Sequence, residues 1–459
     1  MNRKDYKELQ RAYPRFLYES FGFGVEDGEA VCRFRYRIEG AGEPDVVFNH
    51  RISYGFQGEG EELERRLSGM EGLVFHIGLM ESINYWKTTC SREFRVQCGH
   101  LSPEQALWWK KLFYHGLGEF IYLNGLHKEA GVDQENFVEF VSDREADVRE
   151  VPVLALSGNL IPVGGGKDSV VTLELLKDRK EENLCFVMNP PQAAFDCIRV
   201  AGYEGWLLAR RTFDRKMLDM NSQGFLNGHV PYSAILAWAS VLGAVLAGKR
   251  HITLSNEKSA NEPSVPGTDF NHQYSKSFDF EWDFNRYLHR HVLEGVEYFS
   301  LLRRMYELEI ARRFAAHTAY HGVFRSCNRG KGSNSWCGHC PKCLFVFIIL
   351  GPWMSLEELH GIFGKDLLAD ESLSKELLEL LGLGETKPFE CVGTVAEVRL
   401  AMKRLYLRHY RDGERKGLPA LMALFLERME LDAIGELPGE AAGEDLIPPY
   451  FEELLKKEL

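Results

Sequence analysis

The N-terminal stretch MNRKDYKELQ has no apolar core of the kind a secretory signal needs, and export is not expected. Long apolar runs are scarce as well. The longest, residues 232–248 and 343–354, are interrupted by small residues or too short to cross a bilayer as helices, and they read as buried core. A cytoplasmic location without a membrane partner follows as the expectation. Positive charge is not in excess either: the net charge is −12. Nucleic-acid binding rests on phosphate neutralisation by clustered Lys and Arg, so no nucleic-acid partner is expected. The basic stretches that do occur, Arg303 with Arg304 and residues 403–416, have acids interspersed and read as solvated helix faces. Internal repeats and long low-complexity segments are missing. In a cytoplasmic chain the ten cysteines read as ligands, catalytic groups or buried thiols before disulfides.

What is present is a chain of 459 residues, 45% hydrophobic and 27% charged, enough for two or three domains. Residues 1–150 read as an α+β domain. A polar helix comes first, then period-two alternation over 30–38, further strands at 44–49 and 73–77, and helical spacing of Ala106, Leu107, Trp109, Leu112 and Phe113 between Pro103 and Leu126. The charged segment 142–150 is the expected boundary. Residues 151–345 alternate short apolar strands (160–163, 184–188, 206–209 and 251–254) with helices (168–177, 192–200 and 233–247), the rhythm of a parallel α/β sheet. Residues 346–459 read as helical, with leucine-rich stretches at 356–363 and 373–381.

The segment VGGGKDS (163–169) joins an expected strand to an expected helix. Gly164, Gly165 and Gly166 let the backbone turn sharply and approach an anion without a Cβ in the way. The helix that follows adds its dipole and free N–H groups, with Lys167 as a cation and Ser169 as a hydroxyl donor. It is not a Walker A loop, because Asp168 rather than Ser or Thr follows Lys167 and Ile161 stands where that motif needs its first glycine. The glycine spacing of a dinucleotide fingerprint is also absent. Pyrophosphate is the group this order of residues suits.

Cys327, Cys337, Cys340 and Cys343 have the spacing C-x9-C-x2-C-x2-C in a Gly- and Asn-rich segment. Four thiolates so close can form a tetrahedral structural Zn2+ site, with an iron–sulfur cluster as the second reading. Outside that cluster, Cys391 precedes a capping-box pattern, Thr394 with Glu397, which would put the thiol just before a helix N-terminus, where thiolate is favoured; a buried structural cysteine is the other reading. Glu390 is an alternative base or a solvated carboxylate. His229 lies in a Gly- and Pro-containing turn that could present it to a substrate or leave it packed. The polar segment NHQYSKS (271–277), with Tyr274 and Lys276, offers phenol and ammonium groups to a carboxylate or sugar, and Lys87 and Lys387 could meet carboxylates or a diphosphate.

The glycine loop is similar to the S-G-G-x-D-S loop of N-type ATP pyrophosphatases, with Gly164 in place of the first Ser. That resemblance implies a PP-loop core that splits ATP between its α and β phosphates, Asp168 as a partner of Mg2+ or phosphate, and Met188 and Asn189 beside the nucleotide. Together with the late cysteine cluster, the middle of the chain resembles 7-cyano-7-deazaguanine synthase. The segments HIGLMESINYWK (76–87), WWKKLFYHGLGEF (108–120), IPVGGGKDSVVTLELLK (161–177), QYSKSFDFE (273–281) and KPFECVG (387–393) resemble, over nearly the whole chain, the UDP-N-acetylmuramoyl-L-alanyl-L-glutamate epimerase family of bacterial peptidoglycan-precursor synthesis. This implies ATP and Mg2+ as cofactors, a UDP-linked muramoyl dipeptide as substrate, and inversion of its terminal L-glutamate with release of AMP and pyrophosphate. Cys391, Glu390, His229 and Asp168 are then the residues expected to carry the chemistry. The alternatives are a deazapurine nitrile or amide synthase, and a noncatalytic nucleotide- or RNA-binding protein.

Overall fold

The structure is a computed structural model that describes residues 4–55, 60–145, 150–411, 417–438 and 444–456. Residues 146–149 of the expected boundary segment and 412–416 of the basic stretch lie outside them. Ten strands are present among the described residues: β1 (Arg15–Glu26), β2 (Glu29–Glu39), β3 (Val46–Gly55), β4 (Glu93–Val96), β5 (Glu139–Ser142), β6 (Asn159–Pro162), β7 (Asn183–Met188), β8 (Trp206–Thr212), β9 (His251–Leu254) and β10 (Glu297–Ser300). They form one sheet in the order β10-β9-β6-β7-β8-β3-β2-β1-β4-β5.

From β10 to β8 every pairing is parallel. The chain winds outward in both directions from β6, which places a topological switch point between β6 and β9, where open α/β sheets bind ligands beyond the strands' carboxyl ends. The strands expected at 160–163, 184–188, 206–209 and 251–254 are all found there. Pro162 is accommodated because it ends β6. The next residue, Val163, donates to the Phe186 carbonyl, so the proline nitrogen points toward β9, whose ladder with β6 stops at Leu160 and Ile252.

The amino-terminal strands extend this same sheet. The meander β1-β2-β3 is antiparallel, and β3 pairs antiparallel with β8 through Arg51↔Thr212 to Gly55↔Leu208. Side chains alternate between two cores: Leu160 and Phe186 face one, Ile161, Cys185 and Val187 the other. On the first face lie two apolar helices, Glu71–Trp86 and Tyr232–Ala247, packed on each other. The strand expected at 73–77 is therefore wrong. Every residue from Leu73 to Trp86 is buried, so the helix has no polar side to reveal a 3.6-residue period. Gly78 makes its contact with the sheet possible, since a Cβ there would lie 2.0 Å from the Tyr18 hydroxyl oxygen. On the second face pack Lys167–Leu175, Glu307–Ala316, Pro341–Leu350 and Val395–His409.

The reading of Arg303 and Arg304 as a solvated face is corrected. Arg303 is buried, with Nη2 2.5 Å from Glu281 Oε2, and Arg304 is held by Asp445 and Glu452. Adjacent basic residues in sequence here serve separate ion pairs. No helix among the described residues is long and apolar enough to cross a membrane.

Candidate functional site

The glycine loop leaves the end of β6 at the switch point. Gly165 has φ +86°, and a Cβ on it would lie 2.6 Å from the Ala194 backbone nitrogen, so only glycine fits. Gly166 is the N-cap of Lys167–Leu175 and supplies no capping side chain, which leaves first-turn N–H groups for an external acceptor. The Ser169 hydroxyl turns inward, accepting from Gly165 N at 3.2 Å and donating to Gly166 O at 2.9 Å. Two donors nearby have no hydrogen-bond partner among the described residues: Ser326 Oγ, whose Cβ lies 3.4 Å from where a Gly166 Cβ would be, and Arg325 Nε. Both residues border a cavity of about 640 Å³ that Gly164 also lines. An uncommitted hydroxyl, a guanidinium and an uncapped helix start are donors that could hold an anion.

Beneath the loop is a buried charge cluster. Lys167 Nζ lies 2.5 Å from Asp168 Oδ1 and also contacts Glu307. Burial disfavours the ammonium, but these two carboxylates outweigh it and raise its pKa. Burial likewise opposes ionisation of Asp168, yet Lys167, Lys342 and Lys276 hold its pKa down. Glu307 goes the other way: burial, with Asp168 and Glu257 adding, pushes it up to about 8 against Lys167. Glu397 fixes the start of the Glu307 helix by accepting Glu307 N at 2.6 Å. Glu257 Oε2 is buried with no partner among the described residues.

The far wall of the cavity carries the thiol. The expected capping box is present: Thr394 Oγ1 accepts from Glu397 N at 3.2 Å, and Glu397 Oε2 accepts from Thr394 N at 2.8 Å. Cys391 lies three residues before Thr394, its carbonyl accepting from Lys342 Nζ. Burial raises the Cys391 pKa, but Lys276 and His272 more than reverse this and bring it down to about 6. Beside it, His272 Nδ1 donates to Glu119 Oε2 at 2.6 Å, and the His229 ring lies against the His272 ring, 4.3 Å between centroids and tilted by 44°. His229 is pushed down to about 3 by burial, with the His272 and Lys87 charges adding. Glu390 is raised, chiefly by burial, while accepting from Asn328 Nδ2 at 2.9 Å.

The four clustered cysteines converge. Sulfur separations are 3.9 Å for Cys327 and Cys340, 3.7 Å for Cys337 and Cys343, and 3.5 Å for Cys340 and Cys343. Tetrahedral zinc with bonds of about 2.3 Å requires about 3.8 Å between sulfurs. Backbone N–H groups of Gly330 and Cys343 point at the sulfurs of Cys327 and Cys340, as a thiolate cluster requires. The four residues fit a metal ion.

Comparison with known proteins adds the relationship. The model of the MurL N-terminal domain matches residues 7–301, and that of the MurL C-terminal domain matches residues 323–431. The chain belongs to the MurL family. Curated relatives named UDP-N-acetyl-alpha-D-muramoyl-L-alanyl-L-glutamate epimerase include one from Salinispora tropica, 33% identical over 95% of this chain and 92% of its own length. One from Micromonospora sp. is 32% identical over 98% and 99%. One from Xanthomonas oryzae pv. oryzae is 36% identical over 72% and 74%. No solved structure matches.

Of the residues singled out in this MurL sequence, Gly164, Met188, His229, Lys276, Glu390 and Cys391 border one cavity. Asn189 turns away, its side chain bracketing the Arg211 backbone at 2.7 and 3.1 Å. Lys387 is buried against Glu262. Lys87 donates to the Gly228 carbonyl at 2.5 Å, its pKa lowered to about 8 by burial, so it supports the His229 turn from behind. Tyr274 borders a different cavity, with Trp282 and Asp279. Sequence reading passed over Glu119, Glu307, Arg325, Ser326 and Lys342, and did not single out His272 within 271–277. Only His272 carried a usable signal, a histidine in a polar loop. The others come from elements far apart in the chain.

Proposed function

We propose that this chain is an ATP-dependent, AMP-forming epimerase that inverts the terminal L-glutamate of UDP-N-acetylmuramoyl-L-alanyl-L-glutamate, a cytoplasmic step of peptidoglycan-precursor synthesis. The names of its MurL relatives support the substrate and the inversion. The observation that carries the ATP requirement is the placement of Gly164 of the glycine loop, Arg325, the unpartnered Ser326 hydroxyl and the Cys391 thiol on one cavity.

The chemistry explains why both are needed. Removing the Cα proton next to a free carboxylate would put a second negative charge beside the first. Converting that carboxylate to an acyl adenylate removes its charge and acidifies the Cα–H. The glycine loop, Lys276, Arg325 and Ser326 would hold the phosphates, and the PP-loop ATP pyrophosphatase core expected from sequence is the fold reading in keeping with this. Asp168 and the unpartnered Glu257 Oε2 suit Mg2+, which when bound neutralises triphosphate charge. Lys167, fixed between Asp168 and Glu307, keeps the loop acid ionised.

Inversion needs a base on one face and an acid on the other. Cys391, with its depressed pKa, is assigned the base; Glu390, with its raised pKa, the proton donor. His229, kept neutral, is a hydrogen-bonding wall for the glutamyl group. The zinc site is structural.

Incubation with ATP, Mg2+ and the muramoyl dipeptide in heavy water tests the reading. Deuterium at the glutamate Cα, D-configuration in the product and one AMP per turnover are expected. Turnover of a deazapurine acid with ammonia, or no pyrophosphate release with any acid, would replace the proposal with a nitrile synthase or a noncatalytic nucleotide binder.

A further inference from the structure

A chain of three side chains ends at the cavity: Glu119 from the helix Gly118–Leu123, His272 from the loop after β9, and Cys391 from the loop before Val395–His409. His272 Nδ1 donates to Glu119 Oε2 at 2.6 Å, and its ring stands beside the Cys391 thiol on the same cavity. Its backbone is fixed as well, His272 N donating to Ser264 Oγ at 3.0 Å. The next residue, Gln273, donates from Nε2 to the Val392 carbonyl at 3.1 Å, which locks the histidine loop to the cysteine loop. We propose that Glu119 and His272 are positioning residues that hold Cys391 as a thiolate facing the cavity, so that its sulfur takes the Cα proton of the activated glutamyl group.

The surroundings favour the ion pair from every side. Lys276 lines the same cavity and its charge favours the thiolate, Lys342 binds the Cys391 carbonyl, and the acid next to Cys391 in sequence is Glu390. Around His272 stand Glu119 and the neutral His229, which Lys87 approaches from behind. Burial alone would discharge the histidine, yet contacts with Cys391 and Glu119 raise it to about 9. Cys391, brought to about 6, is then anionic at neutral pH. In the step itself a sulfur lone pair forms the S–H bond, the Cα–H electron pair moves into the Cα–carbonyl bond, and the carbonyl π pair moves onto oxygen. Thiol and enolate are the products, and no oxidant or further reactant takes part.

The role in proton transfer rests on the proposed epimerase reading; the thiolate does not. The experiment therefore has two arms, both on the zinc-loaded full chain. In the first, alkylation of Cys391 by iodoacetamide is followed against pH by peptide mass spectrometry without ATP or substrate. The wild type is expected to titrate near 6, Glu119→Gln about one unit or more higher, and His272→Asn toward the ordinary thiol range near about 8.5. A wild-type midpoint in that ordinary range, or one unmoved in both variants, overturns the proposal. In the second arm, Glu119→Gln is expected to lose Cα deuterium exchange by roughly 10²-fold at neutral pH and to regain most of it at higher pH, while still releasing AMP. Loss that higher pH does not restore would mark Glu119 as merely structural and refute the positioning role. Failure of the wild type to release AMP with the dipeptide would defeat the epimerase reading and leave the alkylation result to decide the thiolate.

Discussion

The backbone N–H of Arg325 donates to the carbonyl of Gly165 at 2.8 Å, stitching the segment that enters the cysteine cluster onto the glycine loop. On the cluster's other side Lys342, between two of the cysteines, holds the Cys391 carbonyl. The four-sulfur site thus supports both walls of the cavity. Metal analysis is expected to give one zinc per chain, and Cys340→Ser to cost about 4 kcal/mol or more of stability, as loss of a structural metal does. Full melting stability and ATP binding in the metal-free variant would contradict this.

Asp168→Asn is expected to abolish AMP formation, by about 10²-fold or more, in a protein that stays folded. The substitution keeps the size of the side chain but removes the charge that Lys167 neutralises. Circular dichroism alongside a pyrophosphate-release assay checks both halves. Full AMP-forming activity would mean the loop acid has been misassigned.

Gly164 and Gly165 should respond in opposite ways. A Cβ at Gly164 meets nothing within 4 Å, so Gly164→Ser is expected to fold normally and to keep or lower the KM for ATP by adding the hydroxyl that the pyrophosphatase pattern has there. Gly165→Ala combines φ +86° with a backbone collision and should cost about 2 kcal/mol or more, with loss of ATP binding. Thermal shift with and without nucleotide separates the two.

The pH dependence of kcat/KM should be bell-shaped. Below about 6 the Cys391 sulfur gains a proton and cannot act as base, so activity falls with falling pH. On the alkaline side Glu390, whose pKa burial raises, loses the proton it must donate, so activity falls with rising pH. A flat profile from pH 5 to 10 would exclude both roles.

The glycine loop between β6 and its helix was legible in the sequence because strand, glycines, cation and helix are contiguous. The cysteine cluster was legible for the same reason. His272 and Glu119 were not, since 153 positions separate them and only the fold brings their side chains to 2.6 Å. The helix Glu71–Trp86 was misread because burial on all sides erased its periodicity. That β3 joins β8 also has no local signature: an edge strand's partner is decided by packing, and either strand alone reads only as half-buried.

That junction has a mechanical consequence. Five consecutive residue pairs tie Arg51–Gly55 of β3 to 208–212 of β8, so the meander and the parallel half of the sheet share one backbone ladder. Bending between them would break hydrogen bonds inside a continuous sheet rather than open a linker. Shape change during turnover is therefore not expected to occur as a hinge between the two halves, which travel as one plate.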